Sequence, residues 1–154
     1  MVKHKSIPER VTAHIRRNII CGLLPSGFKL NETELAEQMG ISRPPLRETF
    51  RKLEHENLVV NMPRKGVHVS PVSIQDAEQI YFIRQCLECS AVDILREKSD
   101  SDLSPLAASI AESEFASLSK ATSVEDMYRY YKTMAGFHFA LIDAAKNSWL
   151  VHVY

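Results

Sequence analysis

Three arginines spaced four apart, Arg43, Arg47 and Arg51, constrain this chain more than any other feature. Beside them runs a second series, Leu46, Phe50 and Leu53, at the spacing of a buried helical stripe. One helix therefore turns apolar side chains inward and a row of guanidinium groups outward. Ser42 stands where its hydroxyl would cap that helix, and Pro44 and Pro45 fall in the first turn, where a missing N–H does no harm. Upstream, Asn31-x-x-Glu34 opens a short helix with Leu35, Ala36 and Met39 as its inner face, and Gly40 breaks it. Helix, glycine turn and cationic helix form the layout of a helix-turn-helix. The competing reading of such a row is a solvated helix face.

The next segment favours the helix-turn-helix. Leu58-Val59-Val60-Asn61-Met62 and Val67-His68-Val69 are β-rich runs around Pro63-Arg64-Lys65-Gly66, a hairpin with a basic tip. Directly after an arginine-faced helix, such a hairpin is a wing. Arginine can pair bidentately with guanine O6 and N7 and can also grip phosphate. Before these elements, Ser6-x-x-Glu9 with Pro8 starts a helix striped by Ile7, Val11, Ile15, Ile19 and Leu23. Gly22 and the Pro25-Ser26-Gly27 turn end it. The charge distribution agrees. Net charge is zero, yet residues 1–70 hold 12 Lys/Arg against 7 Asp/Glu, and residues 71–154 hold 7 against 12. A basic half beside an acidic half points to a polyanionic partner for the first.

These residues together resemble the winged-helix domain of GntR-family bacterial transcription regulators. The likeness lies in Gly22-Leu23-Leu24-x-x-Gly27-x-x-Leu30 and in Glu34-Leu35-Ala36-x-x-Met39-Gly40-Ile41-Ser42-Arg43-x-Pro45-Leu46-Arg47-Glu48. It continues in Leu53-Glu54-x-Glu56-x-Leu58-Val59 and Arg64-Lys65-Gly66-Val67-x-Val69. The resemblance implies DNA contacts at Thr33, Ser42, Arg43, Pro44, Pro45 and Arg47, and at Lys65 and Gly66 of the wing, with Arg64 adding charge to the tip. Asn57 stands where the family usually has glycine. Asparagine is the next residue to accept a left-handed conformation.

From Ser73 onward the pattern is helical throughout. Ser73-x-x-Asp76 caps a long helix carrying Ile80, Tyr81, Arg84, Leu87, Glu88, Ala91, Ile94 and Leu95. A second helix starts near Pro105 with Leu106, Ile110, Phe115 and Leu118. Ser123-x-x-Asp126 caps a third, with Met127, Tyr130, Tyr131, Met134, Phe137, His138, Leu141 and Ala145; Trp149 begins a further segment. Three amphipathic helices make a poor closed bundle, because each apolar stripe needs neighbours on both sides. The expected fold is mostly α: a winged helix-turn-helix of three helices and a β-hairpin over 1–70, then an incomplete, all-α antiparallel bundle over 71–154.

This half resembles the FCD ligand-binding domain of the family's FadR-like branch, through Ile83-Arg84-x-x-Leu87-Glu88-x-x-Ala91 and Phe137-His138-x-x-Leu141-x-x-Ala144-Ala145-x-Asn147. The resemblance extends over the first half of that domain, so the chain reads as C-terminally truncated. It implies a homodimer on a double-stranded, pseudo-palindromic operator, repression relieved by a metabolite, and a small carboxylate effector. Arg84 and His138 are the candidate effector contacts; the Arg84 guanidinium could pair that carboxylate, or pair Glu88 one turn on. The family often holds a divalent metal with one Asp and three His. His138 matches the first histidine, Met134 stands at the Asp position, and His152 matches no ligand. A thioether is a poor substitute for oxygen toward a hard cation, so the ligand set is incomplete and His138 reads as a packed or capping side chain.

Other function classes have less support. Cys86-x-x-Cys89 could be a redox pair or half a zinc site, but buried small residues in a helix account for them. No Gly-rich phosphate loop or catalytic triad stands out, so an enzyme is not expected. The sequence has no apolar run near the roughly 20 residues of a spanning helix, and MVKHKSIPER lacks the apolar core of a secretory signal. Three cysteines, an odd number, suit a reducing cytosol, so the expected location is cytoplasmic. Two alternatives to the regulator stand beside it. One is an effector-insensitive fragment that heterodimerises with a full-length relative; the other is a metal- or thiol-dependent sensor or enzyme.

Overall fold

The computed structural model describes residues 6–98, 102–115 and 121–154. It divides into two compact units, Met1–Val72 and Ser73–Tyr154. The first carries helices α1 (Ile7–Ile20), α2 (Glu32–Gln38) and α3 (Arg43–His55) with strands β1 (Lys29–Leu30), β2 (Val59–Met62) and β3 (Gly66–Val69). The second carries α4 (Ile74–Glu97), α5 (Ser104–Phe115), α6 (Val124–Ala144) and α7 (Ser148–Val153). The mostly helical fold with an N-terminal winged helix-turn-helix is as expected from the sequence.

Local chemistry sets the helix ends of the first unit. Ser6 and Glu9 form a reciprocal capping box at the head of α1. Asn31 Oδ1 accepts from the backbone N–H of Thr33 and Glu34 at the head of α2. At the end of α2, Gly40 takes φ +62°, its N–H donates to the Glu37 carbonyl, and Ile41 N–H donates to the Ala36 carbonyl. That pair of bonds is a Schellman closure, and it sets the sharp entry into α3. Asn57 closes α3 in the same way at φ +57°, with Leu58 N–H bonded to the Leu53 carbonyl. Asparagine thus adopts the left-handed conformation expected of it.

Ser42 departs from expectation. It is the N-cap residue of α3, but its hydroxyl makes no cap bond. A cap hydroxyl accepts from the second or third N–H of the helix, and those positions are Pro44 and Pro45, which have none. The prolines that suit a first turn also remove the donors its cap would use.

The core of this unit gathers Val11 and Ile15 of α1, Leu46, Phe50 and Leu53 of α3, Ala36, and the strand residues Leu30, Val59 and Val69. The inward stripe of α3 is as expected. The α1 stripe is shorter: Ile7, the first residue of the helix, and Leu23, which lies beyond its end, are both exposed. The hairpin gains a third strand, with order β1-β3-β2, all antiparallel. Two residues, Lys29 and Leu30, make that strand, too few for a period-two signal.

One polar link in the core was not foreseen. The hydroxyls of Thr12 and Thr49 lie 3.1 Å apart and reach the Pro8 carbonyl at 2.7 and 3.3 Å, joining α1 to α3. Thr49 is fully buried. Replacing it by valine keeps the shape and deletes one hydrogen-bonding group. The expected loss is about 1–2 kcal/mol in denaturant unfolding; a Thr49→Val protein as stable as the parent would show that the link contributes nothing.

In the second unit, Ser73 and Asp76 form the expected capping box of α4, and Ser123 caps α6. Its core joins Ala91 of α4 to Leu141, Ile142 and Ala145 from the end of α6, with Leu150 of α7. Leu87, Ile94 and Leu95 pack against it, whereas Ile80 and Tyr81 are exposed, because this cluster covers only the later turns of α4. Cys86 and Cys89 are also exposed, contrary to the expected burial, since they lie off the Leu87-Ala91-Ile94 face. In α5, Leu106 reaches the core; Leu118 and the side chain of Phe115 lie outside the described residues. No described helix is long and apolar enough to cross a membrane.

Candidate nucleic-acid interface

α3 carries its core on one side and its charges on the other. Leu46 has no exposed surface, while Arg43, Pro44, Arg47 and Arg51 are exposed, with Pro45 half-buried behind them. The short α2 braces the two leading arginines. Arg43 Nη2 donates to Thr33 Oγ1 at 3.1 Å, and Arg47 Nε donates to Glu32 Oε1 at 2.9 Å. Ser42 is exposed at the head of α3, its hydroxyl not committed to a cap.

The wing lies beside this helix. Met62 pairs with Gly66 in register, and Lys65 N–H donates to the Met62 carbonyl, so the tip is a tight turn. Arg64 takes φ +64° and Gly66 φ +89°. A Cβ on Gly66 would meet only Lys29 Cε, at 3.9 Å. Within this protein, backbone sign rather than crowding therefore calls for glycine there. Between α3 and the wing runs an open groove of about 540 Å³ whose lining includes Arg47, Arg51, Arg64, Lys65 and Lys29. The fold thus brings Arg47 and Arg51 of α3 and the wing cations to one groove, which Arg43 does not line. Thr33 and Ser42 lie by Arg43 at the head of α3. Sequence reasoning did not single out Lys29 or Glu32: Lys29 lies in a connection that carried no strand signal, and Glu32 in a turn read only for its capping box.

In the second unit, the structure brings Arg84 and His138 onto one carboxylate. Glu88 Oε1 accepts from Arg84 Nη2 at 3.0 Å and from the Tyr154 hydroxyl at 2.8 Å. His138 Nδ1 is buried and lies 3.0 Å from the same oxygen, within ion-pair reach but off the angle of a hydrogen bond. Burial alone would raise the Glu88 carboxyl. The bonds from Tyr154 and Arg84, with the charges of His138 and Arg84, outweigh burial and hold it below its ordinary value of 4.5. A depressed carboxylate stabilises the fold above its unfolded pKa and loses that contribution as pH falls through its folded pKa. Glu88→Gln should therefore destabilise the second unit by about 1–3 kcal/mol at neutral pH. The gap from the parent should close in acid, below the ordinary carboxylate value; thermal melts across pH read it, and a gap unchanged at low pH would refute an ionised Glu88 as its source.

These donors do not fit a divalent metal. His138 faces Glu88, Met134 stands one turn earlier, and His152 stacks edge-on with Trp149. Among the described residues no group of three or more His, Cys, Asp or Glu side chains converges as a metal site would require.

Comparison with known proteins bears on the same halves. The family model "Bacterial regulatory proteins, gntR family" matches residues 7–69. The uncharacterized HTH-type transcriptional regulator YdhC of Bacillus subtilis (strain 168) is 31% identical over 137 residues, 88% of this chain and 59% of that protein. The HTH-type transcriptional repressor RspR of Escherichia coli (strain K12) is 32% identical over 84 residues, 54% of this chain and 37% of that one. A solved GntR structure from Rhodococcus sp. RHA1 superposes with a TM-score of 0.72 at 26% identity, covering 97% of this chain and 69% of that one. The chain spans only 37–59% of the length of these curated relatives. The winged helix, from α1 to β3, is the part of the chain that matches the gntR family of bacterial regulatory proteins.

Proposed function

We propose that this chain is a sequence-specific, double-stranded-DNA-binding transcriptional regulator that acts in the cytoplasm as a homodimer on a pseudo-palindromic operator. The observation that carries this reading is the pair of exposed guanidinium groups, Arg43 and Arg47, braced by α2, with Arg47 sharing a groove with the Arg64-Lys65 wing tip. Arg43 and Arg47 read base edges in the major groove, and Ser42, Thr33 and the head of α3 with Pro44 and Pro45 approach the backbone. Lys65, Arg64 and Gly66 enter the neighbouring minor groove. The second unit is read as the opening helices of an FCD-type effector and dimerisation domain of the FadR-like branch. Repression relieved by a metabolite is the proposed mode, in keeping with a relative that is itself described as a repressor. Arg84 is the candidate anchor for a carboxylate effector, which must compete with Glu88 for the guanidinium.

Selection of bound DNA from a random pool at near-physiological salt tests this, because non-specific phosphate binding is weak there. Enrichment of a short inverted repeat is expected. Enrichment of a lone half-site would refute the dimer and leave a fragment that needs a full-length relative; no enrichment would refute sequence reading altogether.

A further inference from the structure

We propose that Glu32 is a positioning residue for base reading: it tethers Arg47 through Nε, so that the two terminal nitrogens form the fork presented to DNA. The inference rests on the DNA-reading function proposed above and adds a residue and a geometry to it. Glu32 sits in the first turn of α2, and its Oε1 accepts from Arg47 Nε of α3 at 2.9 Å. The Arg47 side chain is 64% exposed and the Glu32 side chain 30%. The carboxylate is therefore the inner, more enclosed partner, and the guanidinium projects outward from it.

Bidentate reading of guanine needs two N–H groups in a fixed fork. An arginine can offer Nε with one Nη, or both Nη atoms. With Nε held by Glu32, the fork that remains is Nη1 and Nη2. A tethered guanidinium also has less side-chain freedom to lose on binding. The adjacent residue works in parallel, since Thr33 Oγ1 accepts from Arg43 Nη2. Successive residues of α2 thus hold the two leading arginines of α3.

The carboxylate carries a cost that makes this reading testable. A negative charge facing phosphates weakens binding to every DNA sequence. It also stops Arg47 from swinging onto a phosphate, where it would bind without reading. Glu32 therefore lowers general affinity and raises selectivity. A plain structural role makes a different forecast, because an acidic residue in a first helical turn stabilises the helix and would affect all binding alike. Glu34 shares that turn and bonds to Asn31 Nδ2 at 2.7 Å, which makes it the control.

The experiment measures binding of the full chain to the duplex selected by the parent and to a scrambled duplex of equal length, across salt concentrations. Glu32→Ala should bind the scrambled duplex at least as well as the parent does. Its salt slope should steepen by about 1 per half-site, as a freed Arg47 neutralises a phosphate. Its selectivity should fall about five- to tenfold, the size of coupling between neighbouring residues. Glu34→Ala should keep parental selectivity. Glu32→Gln, which keeps an acceptor without the charge, should fall between, and it serves if Glu32→Ala folds poorly. In an Arg47→Ala background, Glu32→Ala should change selectivity no further. Parental selectivity in Glu32→Ala and Glu32→Gln, or an equal loss with Arg47 absent, would overturn the positioning role and leave the DNA-reading function standing. A parent that prefers neither duplex would overturn both.

Discussion

Arg47→Ala should bind its operator about 1–3 kcal/mol more weakly per half-site, and a repeated selection should show relaxed base choice at one position of each half-site. The same variant should unfold like the parent. Arg47 is exposed, and its pair with Glu32 is a surface ion pair, worth about 0–1 kcal/mol. Loss of selectivity without loss of stability is the signature of a reading side chain. Lys65→Ala should behave differently: as a phosphate contact it should weaken binding to all sequences alike and reduce the salt slope by about 1. An Arg47→Ala protein with parental affinity and parental base preference would remove Arg47 from the reading set.

How much of this was legible beforehand follows from the range of the interactions involved. The stripe of Leu46, Phe50 and Leu53 and the arginine row repeat with the helical period, so both faces of α3 could be read directly. The capping boxes at Ser6 and Ser73 are local, four residues long, and form as expected. The Ser42 cap failed for a reason equally local, which the sequence held in plain view: the cap needs the N–H groups that Pro44 and Pro45 lack. What could not be read depends on contacts between distant segments. The two-residue β1 exists only because β3 pairs with it. The bonds from Arg43 to Thr33 and from Arg47 to Glu32 cross from one helix to the next, and no periodicity announces them.

The second unit shows the same division. Arg84 and Glu88 are four apart on one helix, so their pairing could be named from sequence as one of two options. Tyr154 reaching the same carboxylate across 66 residues could not. Periodicity also overstated burial along α4. Ile80, Tyr81, Phe82 and Ile83 are all exposed, and four consecutive residues point around most of a helix. A stripe shows which face prefers burial, and only the packing partners determine how many turns of it are covered. The exposure of Cys86 and Cys89 has the same origin.

Leu46→Ala should have the opposite signature to Arg47→Ala, one residue away on the same helix. Leu46 has no exposed surface and belongs to the cluster that joins α1, α3 and the sheet. Truncating a buried leucine removes its transfer free energy and leaves a cavity, together about 2–5 kcal/mol. A unit of this size rarely holds more than about 3–5 kcal/mol from its core. Much of the first unit should therefore be unfolded at physiological temperature in Leu46→Ala. Binding to every DNA sequence should then weaken in proportion to the unfolded fraction, and cooling should recover it. Because saturating DNA binds only the folded form, it should also raise the melting temperature of the variant. Its base preference should stay parental, since the folded molecules present the same arginines. A Leu46→Ala protein that melts like the parent would refute the core assignment of α3. One that stays folded but changes its base choice would mean that this face of the helix, and not the Arg43-Arg47 face, meets the DNA.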